Sequence, residues 1–419
     1  MPKKKRSILQ PEYMSRFRCI GGACEDNCCI GTWNIFVDKK TFLKYRDVKD
    51  KELAPVLDQV VKRYRGKGAD DQQFAHFRLR ADGSGCVFLT GDRFCLLQKK
   101  LGYENLCDVC AVYPRLYKMA DGKIERCATV SCPEVARLAL GNPDGISFET
   151  IEEGPDTGRV PARVQAINSR STRFAARPAK FLWDIRLTCL SILQNRSYPT
   201  GQRLILLGML CSWIEERDKN GRVEEIPAVL EKFNAIVEDG SSRPDLNALQ
   251  NNFSIQMRLA RELTDNRLSM ELVTSVTYLD CVKETLAGLG LFVGVAPDDV
   301  LKAYMENHET HVAAYLKEKE YVLENFLVNE FFMRMMPFGS GDTVWDSYLF
   351  LCVLYGMVKL HLNGMSGFRK GLTDEAVFKM IQSFSKVVLH NTKFIPSMVQ
   401  MLKDNDFDTL AWMTILVND

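Results

Sequence analysis

The sequence predicts a mainly α protein in which a small, mixed, loop-rich cysteine module precedes an all-α helical half. Three observations predict it. Ten of the fourteen cysteines fall between Cys19 and Cys132. Residues 141–156 are rich in glycine, proline and acids, which marks a break in character. From about Ala179 onward, apolar residues recur at helical spacing almost without interruption. The expected organisation is a cysteine-rich metal-cluster unit over residues 1–145, a basic linker over 146–178 and an all-helical unit over 179–419.

In the first unit, residues 33–37 are apolar and partly β-branched, the composition of a short strand. Residues 41–64 read as helix, interrupted at Pro55. Phe77 and Leu79 alternate with His76, Arg78 and Arg80, which suggests a strand with one buried face. Gly83, Ser84 and Gly85 then form a turn that delivers the chain to Cys86. Residues 157–183 contain Arg159, Arg163, Arg170, Arg173, Arg177 and Lys180 but no acid, so the linker is expected to be exposed with a basic face.

In the helical unit, Ile226, Val229, Leu230, Phe233, Ile236 and Val237 share one face. Val377, Ile381, Phe384 and Val388 repeat the pattern, with Thr373 placed as the N-cap. Roughly nine to eleven helices are expected here. The most apolar stretch, residues 347–358, is flanked by Asp346 and Lys359 and is too short to span a bilayer, so it reads as a buried core helix.

A formal net charge of +2 argues against a dedicated nucleic-acid binder. Lys3, Lys4, Lys5 and Arg6 are followed by no apolar run, so they are not the start of a signal peptide, and a cytoplasmic location is expected. Peripheral membrane association and self-association are left open.

The cysteine spacing carries the chemistry. Cys19, Cys24, Cys28 and Cys29 crowd together, Cys86 and Cys95 follow, and Cys107 with Cys110 forms a CxxC pair. A thiophilic metal needs several thiolates converging on one point, and CxxC turns deliver two of them from one loop. Dense cysteine in a large chain without a secretion signal points to metal rather than disulfides. These eight are the expected metal ligands, and Cys127 and Cys132 are set aside as trailing the core set. Zinc and an iron–sulfur cluster use the same ligand type, so spacing alone leaves the metal open. Cys189, Cys211, Cys281 and Cys352 lie in apolar helical sequence and read as core residues.

The order Cys28-Cys29, Cys86-Val-Phe-Leu, Cys95, Cys107-x-x-Cys110-x-x-Tyr113-Pro114 and Cys132-Pro133-Glu134 resembles a cysteine-cluster family described as zinc- or iron-chelating. The whole chain resembles the bacterial flagellin lysine-N-methylases, most closely over residues 14–33. A second, weaker patch runs from Glu324-Asn325-Phe326-Leu327-Val328-Asn329 to Met336-Pro337-Phe338. The resemblance implies methyl transfer from S-adenosylmethionine to flagellin lysines in the cytosol. It also implies a 4Fe-4S cluster rather than zinc.

Common cofactor signatures are not met. Gly288, Gly290 and Gly294 are the nearest match to a Rossmann loop but sit in helical sequence. The radical motif CxxxCxxC fails, because Cys29 directly follows Cys28. His308 and His311 are three apart rather than the four of HExxH, and read as a solvated helix face. Tyr113 is a candidate to face the site, with packing beside Pro114 as its simpler role. Asp108 is expected to shape the CxxC turn.

Overall fold

The computed structural model describes residues 5–30, 35–82, 85–154, 159–161, 163–270, 273–292, 294–339, 341–391 and 393–418. It is mainly α, with a small strand-containing region near the N-terminus. A five-stranded mixed sheet runs in the order Phe148–Glu153, Arg6–Pro11, Lys123–Ala128, Arg115–Ala120, Gln165–Ile167. Arg6–Pro11 is parallel to Lys123–Ala128 and antiparallel to Phe148–Glu153. Arg115–Ala120 and Lys123–Ala128 form a hairpin whose two loop residues, Asp121 and Gly122, both have positive φ. That is the Asp-Gly turn that matches strand twist, a signal legible in the sequence but not read there.

A second sheet of three short antiparallel strands, Phe36–Val37, Ala75–Phe77 and Val61–Arg63, underlies the cysteines. The expected strand over 33–37 is thus present at its C-terminal end, while Trp33 and Asn34 lie outside the described residues, as do Gly83 and Ser84. Leu79 is not in a strand; it makes an isolated bridge to Cys86. The expected helix over 41–64 is two helices, Lys39–Arg46 and Leu53–Val60, followed by strand Val61–Arg63. Pro55 does not break it. It lies in the first turn of the second helix, where a missing N–H costs nothing.

The stretch expected as an exposed linker is built into the fold. Phe148–Glu153 and Gln165–Ile167 are both sheet strands. Four of its six cations pair within the chain: Arg159 with Asp108 at 3.2 Å, Arg163 with Asp70 at 2.6 Å, Arg177 with Asp218 at 3.5 Å, and Lys180 with Glu224. Arg163, Arg170, Arg173, Arg177 and Lys180 stay exposed as expected.

Two main cores are present among the described residues. Val37, Leu57, Phe77, Phe88, Leu97 and Cys107 form a small core around the cysteines. Tyr13, Met14, Phe17, Val135 and Ala139 instead join the large core of the helical half. From Leu182 onward there are thirteen α-helical segments among the described residues, more than expected. π turns at His308–Val312 and Ser385–Leu389 continue two of them without a break. The central helix, Val344–Arg369, extends the expected apolar stretch at both ends. By length and composition it is the one described helix fit to cross a membrane, yet its apolar window is wholly buried by protein.

The patch 324–329 is the joint between the halves. Asn329 Nδ2 donates to the Ala128 carbonyl at 3.1 Å, and its Oδ1 accepts from the Tyr13 hydroxyl at 2.6 Å. Asn325 Nδ2 donates to the Asn142 carbonyl at 2.9 Å. Glu324 binds Arg203 at 2.7 Å and Arg196 at 2.9 Å.

Candidate functional site

Separate stretches of chain converge on the cysteines. Cys24 closes a 3-10 turn over Gly21–Ala23. Next to it, the Asn27 side chain accepts from the Cys29 N–H at 2.8 Å and donates to the Arg93 carbonyl at 2.8 Å. This Asx turn is what Asn does well, since its short side chain substitutes for backbone. The Cys86 N–H then donates to the Cys29 carbonyl at 2.8 Å. Gly85 has φ +131°, and a Cβ there would lie 2.3 Å from the Cys29 oxygen, so this approach requires glycine.

Three further cysteines are N-cap residues: Cys95 for Leu96–Leu101, Cys107 for Asp108–Val112 and Cys132 for Pro133–Leu140. Unpaired N–H groups at a helix start favour a thiolate. The helix-start N–H groups of Leu97 and Gln98 favour the Cys95 thiolate, and those of Glu134 and Val135 favour that of Cys132.

The Cys29 thiol is the hub, interacting with the thiols of Cys28, Cys86 and Cys95. These interactions raise Cys29 and hold Cys28 and Cys86 below the ordinary thiol range. Cys95 is drawn down to about 6, first by Cys29 and then by the backbone N–H groups. Cys110 bonds to Cys107, which pushes it up, and it feels the charges of Cys28 and Cys86. Burial pushes Cys24 up to about 11 and Cys132 up to about 12. Thiols this close cannot all ionise together, so they share protons. Among the described residues, no three Cys, His, Asp or Glu side chains are arranged to hold a metal ion as they stand. All fourteen cysteines are free.

A cavity of about 90 Å³ opens beside the hub, lined by Cys19, Cys24, Cys28, Cys29, Cys95 and Cys132, with Asp26 and Tyr113. Of the eight expected ligands, Cys28, Cys86 and Cys95 gather around Cys29, Cys107 and Cys110 interact with each other, and Cys19 and Cys24 line the cavity. Cys132, set aside from that group, lines it too; the sequence signal was its place just before Pro133 at a helix start. Cys127 lies elsewhere, buried with Phe332 and Met333. Tyr113 does face the cavity, and its hydroxyl lies 3.1 Å from Ser131 Oγ. Asp108 sits in the first helical turn after Cys107 and pairs with Arg159, so it helps fix the CxxC turn.

The remaining sequence signals are structural. A Cβ on Gly288 would lie 1.8 Å from the Gly364 carbonyl, so this glycine lets two helices touch and forms no cofactor loop. His308 is buried against Phe253, not solvated, while Glu309 and Thr310 remain exposed. Cys189, Cys211, Cys281 and Cys352 are buried in the helical core.

The helical half decides the family. Residues 186–416 match the FliB lysine N-methylase C-terminal domain. The chain belongs to that family. The match covers the FliB half and ends short of the cysteines, but similarity to individual relatives reaches them. The Lysine-N-methylase of Salmonella typhimurium is 22% identical over 403 residues, 93% of this chain and 94% of that protein. The Lysine-N-methylase of Salmonella choleraesuis matches to the same extent. The Flagellar biosynthetic protein FliU of Salmonella muenchen is 29% identical over 146 residues, 35% of this chain and 83% of that protein. No solved structure matches.

Proposed function

We propose that this chain is a protein-lysine N-methyltransferase that moves a methyl group from S-adenosylmethionine to lysine side chains of flagellin in the cytoplasm, and that its thiols hold a 4Fe-4S cluster. The observation that carries the reading is the similarity to the Salmonella Lysine-N-methylase, which spans the cysteine-rich part and the FliB half alike. The donor chemistry supports the cluster: three thiols gathered around Cys29 and shifted toward thiolate, with a CxxC pair that feels their charge. Cys28, Cys29, Cys86 and Cys95 are the first candidates to hold it, followed by Cys107 and Cys110. Held by three of these thiols, a cluster would supply Lewis-acid chemistry toward the methyl donor.

In the transfer itself, the lysine nitrogen forms the new bond to carbon as the carbon–sulfur bond of the sulfonium breaks. The amine must first shed its proton, and its ordinary pKa is about 10.4. A walled cavity helps, because desolvation favours the neutral amine. Tyr113 on that wall presents a phenol which burial keeps protonated, so it can donate a hydrogen bond.

The test is purification without oxygen, analysis of iron, acid-labile sulfide and zinc, then transfer of labelled methyl groups to monomeric flagellin. About four irons and four sulfides per chain, with label on flagellin lysines, supports the proposal. Stoichiometric zinc with no transfer overturns it, and leaves a zinc-stapled binding module.

A further inference from the structure

We propose that Gln382, Lys386 and His390 are positioning residues of the cysteine site, one helix face of the FliB half that locks the loop carrying Cys24 against the helix start carrying Cys132. The contacts are direct. Gln382 Nε2 donates to Asp26 Oδ2 at 2.8 Å and to the Ser131 carbonyl at 2.7 Å. Lys386 Nζ pairs with Asp26 Oδ1 at 2.5 Å. His390 Nε2 lies 2.8 Å from Ser131 Oγ. Asp26 falls between Cys24 and Cys28 in the chain, and Ser131 directly precedes Cys132. The two cysteine segments are thus tied to each other through a third element from the opposite half.

The helix is shaped for this. Steps of four residues drift by about 40° per step around an α-helix of 3.6 residues per turn. The first step, from 382 to 386, leaves the α segment Asp374–Phe384. The second crosses the π turn Ser385–Leu389. A π turn is wider and takes more residues per turn, so it brings the third side chain back toward the line of the first two. Such insertions are frequent at functional sites. The Lys386–Asp26 pair is also nearly buried, with side-chain exposures of 9% and 11%, so its geometry is held rather than frayed by solvent. Lys386 further places a positive charge near Cys28, which favours that thiolate.

The inference rests on the cysteines being the functional site, but its test needs neither methyl transfer nor metal. Full-length protein is stripped with a chelator under reductant and treated with iodoacetamide, and alkylation of each cysteine is followed by mass spectrometry. In Lys386→Met and Gln382→Leu, Cys24 and Cys132 should alkylate at least about five-fold faster, the effect of a local opening made easier by roughly 1 kcal/mol. Lys386→Arg, which keeps the charge, should restore rates close to the parent chain. Cys189, Cys211 and Cys352 should be unchanged in every variant. Unchanged rates at Cys24 and Cys132 overturn the proposal. So does a uniform rise at all cysteines, which means global unfolding. Iron content and flagellin methylation of the parent chain report separately on the proposed function, and their failure leaves this labelling pattern standing.

Discussion

The Cys86 N–H donates to the Cys29 carbonyl at 2.8 Å, and the two side-chain thiols interact as well. Two segments distant in sequence are therefore fixed by backbone before any metal is considered, and Gly85 is what permits the approach. Gly85→Ala should cost about 1–3 kcal/mol of backbone strain, on top of a direct collision with the Cys29 oxygen. The expected result is a lower thermal midpoint with sharply reduced iron content. A variant that melts and binds iron like the parent chain would show that the contact is dispensable.

Cys95 and Cys127 are both expected in the cysteine-rich half by spacing, yet only Cys95 touches the hub. Cys95→Ala should lose most of the bound iron and the methylation of flagellin. Cys127→Ala should keep both within about two-fold, because it removes only a small buried thiol packed on Phe332 and Met333. Iron and sulfide analysis of the two proteins side by side decides it, and equal losses would contradict the assignment.

Arg203 is buried, and Glu324 Oε2 meets it at 2.7 Å. Glu324→Ala removes the nearer of its two carboxylates, leaving Glu320 at 3.4 Å and the carbonyls of Tyr198 and Leu193, and should destabilise the fold by about 2–3 kcal/mol. Urea unfolding at neutral pH measures this directly. Glu324→Gln should cost less, since the amide oxygen still accepts from the guanidinium.

His361 Nε2 is 2.9 Å from the Tyr278 hydroxyl, and burial depresses the imidazole to about 4. In the unfolded chain it titrates near 6.5. Below that value the unfolded chain takes up a proton that the folded one refuses. The stability from burying neutral His361 is therefore fully present above pH 6.5, falls as pH drops toward 4, and is lost below that. The difference amounts to about 3 kcal/mol. His361→Gln should flatten the fall in urea midpoint between pH 6.5 and 4.5 relative to the parent chain. Parallel curves for the two proteins would refute the assignment.

The sequence by itself determined the elements whose cause is local. Helical periodicity placed the Ile226–Asp239 and Asp374–Phe384 helices, Thr373 caps the second as its side chain dictates, and the crowding of cysteines marked the site. Each depends on residues a few positions apart, where spacing is geometry. Cooperation between distant residues was not legible. Spacing made Cys127 and Cys132 look alike, but only the fold turns Cys132 into the cavity and Cys127 away from it. The basic stretch after residue 157 read as an exposed linker, and its acidic partners, Asp70, Asp108, Asp218 and Glu224, could not be read because they are scattered through the chain. The contact of the FliB half with the cysteine segments was invisible for the same reason: Asp26 and Lys386 are 360 positions apart in the chain. Pairing across such distances is set by burial and packing of the whole chain, and tertiary structure alone decides it.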